Sequence, residues 1–351
     1  MAFAQSQVTD FDFKFIFVRV TMKNFTYVRS TSVENALETS ANNPQVMYIA
    51  GGTNLVDRLK VFLDRPEQLI DVSPLALKKI EATPEGLKIG ALVTNTELAD
   101  SPEVRRDYPL LSRAILAGAS QQIRNMATVG GNLLQRTRCP YYYDTAFACN
   151  KRNPESGCPA VNGFNRMHAI FGASEHCVAV HPSDMCVALA ALDAVVEVEG
   201  VGGKRRIPFV DFHRLPGNTP QRDSNLEPGE LITSVILPPL PMAKSGVYLK
   251  IRDRASYSFA LISVAAALEI AEGKIVGARL AMGGVAHKPW RLNKAEQFLV
   301  GKSAVRDTFQ EAAEIATEDA RSLAYNEFKV EMSKRAIRRA LTVSAKGGGV
   351  V

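Results

Sequence analysis

Two double-glycine turns of the same make constrain this chain more than any other feature. Ala50-Gly-Gly-Thr-Asn-Leu55 follows the strand-like run Val46–Ala50, and Thr128-Val-Gly-Gly-Asn-Leu133 lies within the longer stretch from Gly118 to Cys139. Paired glycines among apolar residues mark places where the backbone takes unusual dihedrals or lies close against something else. A single such turn is ordinarily a plain loop. Two of them, each with a hydroxyl and a carboxamide beside bare amides, form concavities that suit phosphate oxygens, and the pair points to a grip on a diphosphate. No Gly-x-Gly-x-x-Gly follows a strand-like run, which argues against a Rossmann nucleotide fold. His-Glu-x-x-His and Gly-x-Ser-x-Gly are absent as well.

The five cysteines stand at 139, 149, 158, 177 and 186 and nowhere else in 351 residues. An odd count argues against a complete disulfide framework, and the confinement argues for a local metal site or cluster. Residues 136–180 are rich in Cys, Tyr, Asn, Gly and Pro, with little apolar periodicity. A loop of that length needs an ordering principle, and a bound metal centre supplies one. The spacing is neither a ferredoxin run nor a zinc ribbon, so on the residues alone zinc and an iron–sulfur cluster are equally open. Cys186 falls in a helix expected from His181-Pro-Ser-Asp184 to Ala191, capped by Ser183 or Asp184. A cysteine there behaves as a small buried hydrophobe. His168, His176 and His181 raise mixed ligation, although cysteine is the more usual ligand of such clusters. Tyr141–Tyr143 and Trp290 read as packing residues, Asp57 and Arg58 as solvated helix positions.

The rest sorts into alternating elements. Phe25–Val28, Val46–Ala50 and Gln68–Val72 read as strands, with helices over 32–39 and 55–63 between them. Leu77–Ala82 and Leu87–Ala91 pair across Pro84-Glu-Gly86 as a hairpin. Thr94–Asp100 and Pro109–Ala117 read as helices, 194–199 and 204–207 as a second hairpin, 208–214 as helical or irregular. Glu230–Leu237 is a strand closed by Pro238, Pro239 and Pro241, the expected domain boundary. Beyond it, strands at 245–251, 260–270 and 275–282 and helices at 293–299, 304–320 and 328–344 predict an antiparallel sheet backed by helices. Residues 1–21 lack the marks of a secretory signal and read as an extension or a misplaced start, with Met22 the more natural beginning. No apolar run reaches membrane-spanning length. The net charge of +6 is spread without a dense basic block, which argues against a nucleic-acid surface. Lys334, Arg335, Arg338 and Arg339 read as a solvated helix face or a subunit contact.

The two turns, with His181-Pro-Ser-Asp184, Arg254-Ala-Ser-Tyr-Ser-Phe-Ala260 and Gly283-Gly-Val-Ala-His-Lys-Pro-Trp290, resemble in order the motifs of a known family. That family is the FAD-binding medium subunits of the molybdenum hydroxylases, of the xanthine dehydrogenase and carbon monoxide dehydrogenase type. The resemblance runs from about Met22 to the C-terminal helix. Arg138-Cys-Pro-Tyr-Tyr-Tyr-Asp144 and Cys149-Asn-Lys-Arg152 resemble the insert of the periplasmic aldehyde oxidoreductase flavin subunits, which binds a [4Fe–4S] cluster.

This resemblance implies an α+β fold. Residues 22–240 would form a two-lobed FAD-binding domain of the vanillyl-alcohol-oxidase type, with the Cys-rich insert at about 136–180. Residues 241–351 would form a C-terminal antiparallel-sheet-and-helix domain of the CO dehydrogenase flavoprotein type, and 1–21 an N-terminal extension. It sets Gly51, Gly52, Thr53, Asn54 and Leu55, with Arg124, Thr128, Gly130, Gly131 and Asn132, around FAD. Asp184 would lie near the adenosine half, and Lys250, Ser256 and Tyr257 toward the flavin or its acceptor side. Cys139, Cys149, Cys158 and Cys177 would hold the cluster, and covalent flavin attachment is not implied.

The implied function is electron transfer. A molybdopterin-binding large subunit would oxidise an aldehyde or N-heterocycle, and a [2Fe–2S] small subunit would feed this FAD, which passes electrons to an external acceptor. No residue of this chain would be catalytic toward the organic substrate. Two other readings compete: a stand-alone flavin reductase or oxidase on the same fold, for which no proton-donor constellation is found, and a zinc-bearing scaffold. By its own sequence the chain is expected in the cytoplasm; the resemblance adds a periplasmic alternative through co-export with a partner.

Overall fold

Three sheets organise the chain. The computed structural model describes residues 22–41, 43 and 45–348, so the expected extension over 1–21 lies outside the described residues. The first sheet is small and parallel. It comprises β1 (Thr26–Arg29), β2 (Val46–Ile49) and β3 (Gln68–Asp71), in the order β1-β3-β2, with α1 (Val33–Ala41) and α2 (Leu55–Lys60) in the connections. β3 is central because it is the apolar strand: Leu69 and Ile70 are buried and pair with both neighbours. Ser32 caps α1, its Oγ accepting from the Asn35 amide at 3.1 Å.

The second sheet is antiparallel. Between β5 and β6 the chain runs through helices and the insert, so the sheet forms only when distant strands return. Its strands are β4 (Ile80–Thr83), β5 (Gly86–Gly90), β6 (Val195–Gly200), β7 (Gly203–Pro208) and β8 (Leu231–Leu237), in the order β4-β5-β8-β6-β7. The helices are α3 (Asn95–Asp100), α4 (Pro102–Asp107), α5 (Pro109–Ala117), α6 (Gln121–Arg124), α7 (Val129–Leu133), α8 (Pro140–Tyr143), α9 (Asp184–Ala191) and α10 (Phe209–Phe212). α3 starts on a capping box between Thr94 and Glu97. α9 is buried at every position, because α5 covers one side and the C-terminal sheet another. Ser183 caps it, accepting from the Cys186 amide at 3.1 Å.

The third sheet follows a 3₁₀ turn over Pro241–Ser245, which is why the strand expected from residue 245 starts at Val247. Its strands are β9 (Val247–Ile251), β10 (Ile262–Ala271), β11 (Lys274–Gly283) and β12 (Trp290–Arg291), in the order β12-β11-β10-β9. Helices α11 (Asn293–Leu299), α12 (Arg306–Thr317) and α13 (Phe328–Ser344) pack on it, burying Phe309, Ile337 and Leu341 against Val264, Ala266 and Leu280. The architecture is the α+β arrangement expected from the sequence. Residues 136–180 hold only α8 and an isolated bridge between Ser174 and Cys177.

Candidate functional site

A cleft of about 880 Å³ opens where the parallel lobe, the α5–α7 segment and the C-terminal sheet meet. Gly51–Leu55, Arg124, Thr128, Gly131, Asn132, Asp184, Lys250 and Tyr257 all line it. The first turn leaves β2 with Gly52 at φ +71°. A Cβ on Gly51 would lie 1.7 Å from the Met126 carbonyl oxygen, so glycine is required for the chain before the second turn to come this close. Among the described residues nothing accepts a hydrogen bond from the amides of Gly51, Gly52, Thr53 or Asn54. Four adjacent backbone donors are thus left for an anion. Asn54 joins the turns: its Oδ1 accepts from the Arg136 amide at 3.0 Å, while its buried Nδ2 has no partner among the described residues.

The second turn uses its residues unequally. Thr128 Oγ1 accepts from the Gly131 amide at 3.2 Å and caps α7. The Gly130 amide donates to Ala91 O at 2.8 Å, and a Cβ there would press on Ala91. Gly130 therefore faces the sheet, and Gly131 the cleft. Asn132 Oδ1 accepts from Ser183 Oγ and from Gln135 Nε2. Arg124 turns back to Gly118 O at 2.8 Å. Ser256 is exposed and outside the lining, whereas Tyr257, at φ +50°, stands exposed at the mouth.

Asp184 sits deeper than its neighbours. Tyr248 donates its hydroxyl to Oδ1 at 2.7 Å, and Lys250 Nζ donates to Oδ2 at 2.8 Å and to Ala117 O at 3.1 Å. Burial, reinforced by the Asp184 charge, pushes the Tyr248 phenol well above its ordinary value, so it stays a donor. Arg136, Arg138 and Phe259 also line the cleft and were not singled out from the sequence as binding residues. Arg138 lies 5.3 Å from the centre of the Phe259 ring, a contact across residues that no spacing rule connects. Arg58 corrects the expectation of a solvated position: it is 5% exposed and ion-paired with Asp64, because the chain reverses after α2. Asp57 is exposed as expected.

The cysteines fall in two places. Cys139, Cys149, Cys158 and Cys177 line one small cavity, with Tyr141, Tyr142 and Lys151 around it. Cys186 is fully buried in α9. Burial pushes the Cys139 thiol up to about 12 and the Cys177 thiol to about 11, so a thiolate there calls for a compensating cation. His168 Nε2 lies 3.1 Å from Cys139 Sγ. His181, half-buried, and the buried Cys186 and His213 form a separate group with ligand atoms within 4.8 Å of one another. His213 Nε2 already donates to Leu133 O at 2.8 Å, and the two imidazoles lean together with centroids 4.3 Å apart. Among the described residues no other group of three His, Cys, Asp or Glu gathers its ligand atoms so closely. The insert thiols therefore stand further apart in threes than that.

Polar staples fix the insert. Arg152 Nη1 donates to Tyr141 O at 2.8 Å and Asp144 O at 3.1 Å, and Asn150 Nδ2 to His176 O at 3.0 Å. Lys151, 3% exposed, donates to Asp223 Oδ1, to Pro220 O at 2.7 Å and to His287 Nε2 at 2.7 Å. Arg136 Nε donates to the other oxygen of Asp223 at 2.6 Å. Burial alone would raise the Asp223 carboxyl, but the Lys151 and Arg136 charges hold it well below the usual carboxylate range. Burial and the Lys151 charge pull His287 down to about 4.

Two family profiles cover the chain. Residues 23–240 match the FAD binding domain in molybdopterin dehydrogenase, and 247–343 the CO dehydrogenase flavoprotein C-terminal domain. The chain is 52% identical over 323 residues to the aldehyde oxidoreductase FAD-binding subunit PaoB of Escherichia coli strain K12, covering 91% of this chain and 98% of that one. It is 29% identical to the glyceraldehyde dehydrogenase medium chain of Sulfolobus acidocaldarius, covering 82% and 85%. Among solved structures, quinoline 2-oxidoreductase of Pseudomonas putida 86 aligns with a TM-score of 0.72 at 26% identity, over 93% of this chain and 99% of that one. Reconstituted CO dehydrogenase of Oligotropha carboxidovorans shares the fold, with a TM-score of 0.73 at 24% identity over 93% and 99%.

Proposed function

This chain belongs to the FAD-binding medium subunits of the molybdenum hydroxylase family, and we propose that it is the electron-transfer subunit of a heteromeric aldehyde oxidoreductase. The 52% identity to an aldehyde oxidoreductase FAD-binding subunit supports that class over the others. Its partners would be a molybdopterin-binding large subunit, where the organic substrate is oxidised, and a [2Fe–2S] small subunit that supplies electrons. Among the described residues no helix is long and apolar enough to cross a membrane.

The observation that carries the flavin assignment is the set of four unpartnered amides over Gly51–Asn54, brought beside the second turn in one cleft. Bound FAD supplies a centre that takes electrons singly and releases them singly or in pairs. The chain's residues do the rest. The first turn and Gly131 would hold the diphosphate without side-chain obstruction. Asn54 Nδ2 and Asn132 offer polar contacts toward the ribityl chain. The Asp184–Lys250–Tyr248 group presents a fixed charge pair at the cleft wall. Tyr257 and Phe259 shield the mouth.

A [4Fe–4S] centre on Cys139, Cys149, Cys158 and Cys177 is the second part of the reading. Tetrahedral zinc, with Zn–S of about 2.3 Å, draws its thiolates to within about 3.8 Å of one another. In a cubane each thiolate binds its own iron, so the four stand further apart. Four cysteines around one small cavity, on a segment that resembles a cluster-bearing insert, support the cluster. Domain limits of 22–240 and 241–351, divided at the proline turn, complete the proposal.

The test is anaerobic purification of the complex, with iron, sulfide, zinc and FAD quantified and the dithionite-reduced protein examined by EPR. About four irons beyond those of the [2Fe–2S] small subunit, and one FAD, are expected per complex. Cys149→Ser should lose about those four irons, keep the small subunit's iron and keep the FAD. Zinc in place of the four additional irons would refute the cluster, and a complex without FAD would refute the whole reading.

A further inference from the structure

His168 stands against the proposed cluster site in a role not yet assigned to it. It is 3% exposed. Its Nε2 lies 3.1 Å from Cys139 Sγ, and its buried Nδ1 has no partner among the described residues. Main-chain contacts set its position. The His168 amide donates to Asn165 O at 3.0 Å, and its carbonyl accepts from Lys329 Nζ at 2.9 Å and Asn326 Nδ2 at 3.2 Å. Lys329, completely buried, also reaches Gly284 O at 2.8 Å. The start of α13 and the turn after β11 thus hold the imidazole against the insert.

A neutral imidazole carries one N–H, and a metal-bound thiolate is only an acceptor. The proton therefore belongs on Nε2, facing sulfur. Nδ1 keeps its lone pair, and His168 also lines a cavity of about 140 Å³ together with Cys139, His181, Asp184 and Ser263.

We propose that His168 is a positioning residue that donates an Nε2–H···Sγ hydrogen bond to Cys139 as cluster ligand and so raises the reduction potential of the [4Fe–4S] centre. The inference rests on the cluster reading above. Reduction adds negative charge that spreads onto the thiolates, so a donor at sulfur stabilises the reduced state more than the oxidised one. The same contact holds the Cys139 side chain in its ligating orientation.

The experiment is an EPR-monitored redox titration of the whole complex, wild type against His168→Leu and His168→Gln, with iron and sulfide counted in each sample. The expected result is full iron in all three, a lowered cluster potential in His168→Leu, and an intermediate value in His168→Gln, which keeps a side-chain N–H donor. Full iron with an unmoved potential in His168→Leu overturns the proposal. The wild-type complex labelled with ¹⁵N-histidine should show by pulsed EPR a weak nitrogen coupling to the reduced cluster. No coupling, or the strong coupling of a bound nitrogen, overturns it equally. If His168→Leu fails to assemble the cluster, the labelled wild type and His168→Gln decide. A wild-type complex with no iron beyond that of the [2Fe–2S] small subunit would sink the cluster reading itself, a result distinct from a complex with the four additional irons and an unmoved potential.

Discussion

In the proposed function the glycine cleft and the cysteine insert face the same task, holding a charged group inside a fold, and would meet it by opposite means. In the cleft the donors are backbone amides at the ends of regular elements. β2 delivers Gly51, the chain before α7 comes within contact of it, and Asn54 ties the two turns through Arg136. In the insert the ligand candidates are side chains on nearly structureless chain, steadied by Arg152, Asn150 and the buried Lys151, which meets Asp223 beside Arg136. The cleft has its shape before any ligand arrives. The insert has little regular structure; Ile170 and Phe171 anchor its end in the C-terminal core, and a centre bound by its thiols would order the rest. The two sites should fail independently.

Gly51→Ala is the sharpest way to break that comparison and carries the largest expected effect. The new Cβ would sit 1.7 Å from a backbone oxygen, so the two turns must move apart rather than a side chain yield. FAD affinity should fall at least tenfold, about 1.4 kcal/mol or more. Iron content should not change. The measurement is the ratio of flavin to iron in the purified complex, the reciprocal of the cysteine replacement above. A parallel loss of both would show that the two sites are one cooperative unit.

The difference also governs what the sequence discloses. Each glycine turn is local: Gly51–Leu55 and Thr128–Asn132 are short windows, and their amides do their work wherever the surrounding strand and helix put them. The cysteines were legible through their confinement, and Cys186 separated from the rest because the helix after Ser183 claims it. What holds the insert was not legible. Lys151 meets Asp223 and His287 across 72 and 136 positions of chain, and no periodicity links such residues. The same limit hid Arg58, whose partner Asp64 arrives only because Phe62 takes φ +61° and reverses the chain. Within the second turn the sequence could not tell Gly130, which packs on Ala91, from Gly131, which faces the cleft. The short helix α4 was missed although Ser101-Pro102 offers a cap and a first-turn proline.

Acid should reach the insert's anchorage before it reaches the glycine turns. Burial depresses His287 from 6.5 to about 4, with the Lys151 charge acting in the same direction, and burial brings His213 from 6.5 to about 4. A histidine whose folded pKa is lowered binds its proton more readily when unfolded. Stability is therefore full above pH 6.5 and declines as pH falls from 6.5 toward 4, by up to about 3 kcal/mol for each histidine. Asp223 stays ionised throughout this window, so the loss belongs to the imidazoles. The melting temperature should drop between pH 7.5 and 5, and protease nicking within 136–180 should appear first. His287→Gln should flatten that dependence. A profile unchanged by His287→Gln would remove this network from the acid response and leave His168, His181 and His213, all lowered by burial, to explain it.

Thr128→Ala carries the smallest expected effect and tests whether the second turn is held by the same local means as the first. The only hydrogen bond that the Thr128 hydroxyl makes among the described residues accepts from the Gly131 amide at 3.2 Å. Removing a threonine cap costs about 1 kcal/mol, roughly 1–3 °C in melting temperature for a chain of this size. The bond ties up an amide that otherwise faces the cleft, so its loss frees a donor rather than removing one. FAD content should stay at its wild-type level while stability falls slightly. If Thr128→Ala instead empties the protein of FAD, the hydroxyl touches the cofactor directly. The second turn would then resemble the insert, a site made by side chains, more than it resembles the backbone cradle at Gly51–Asn54.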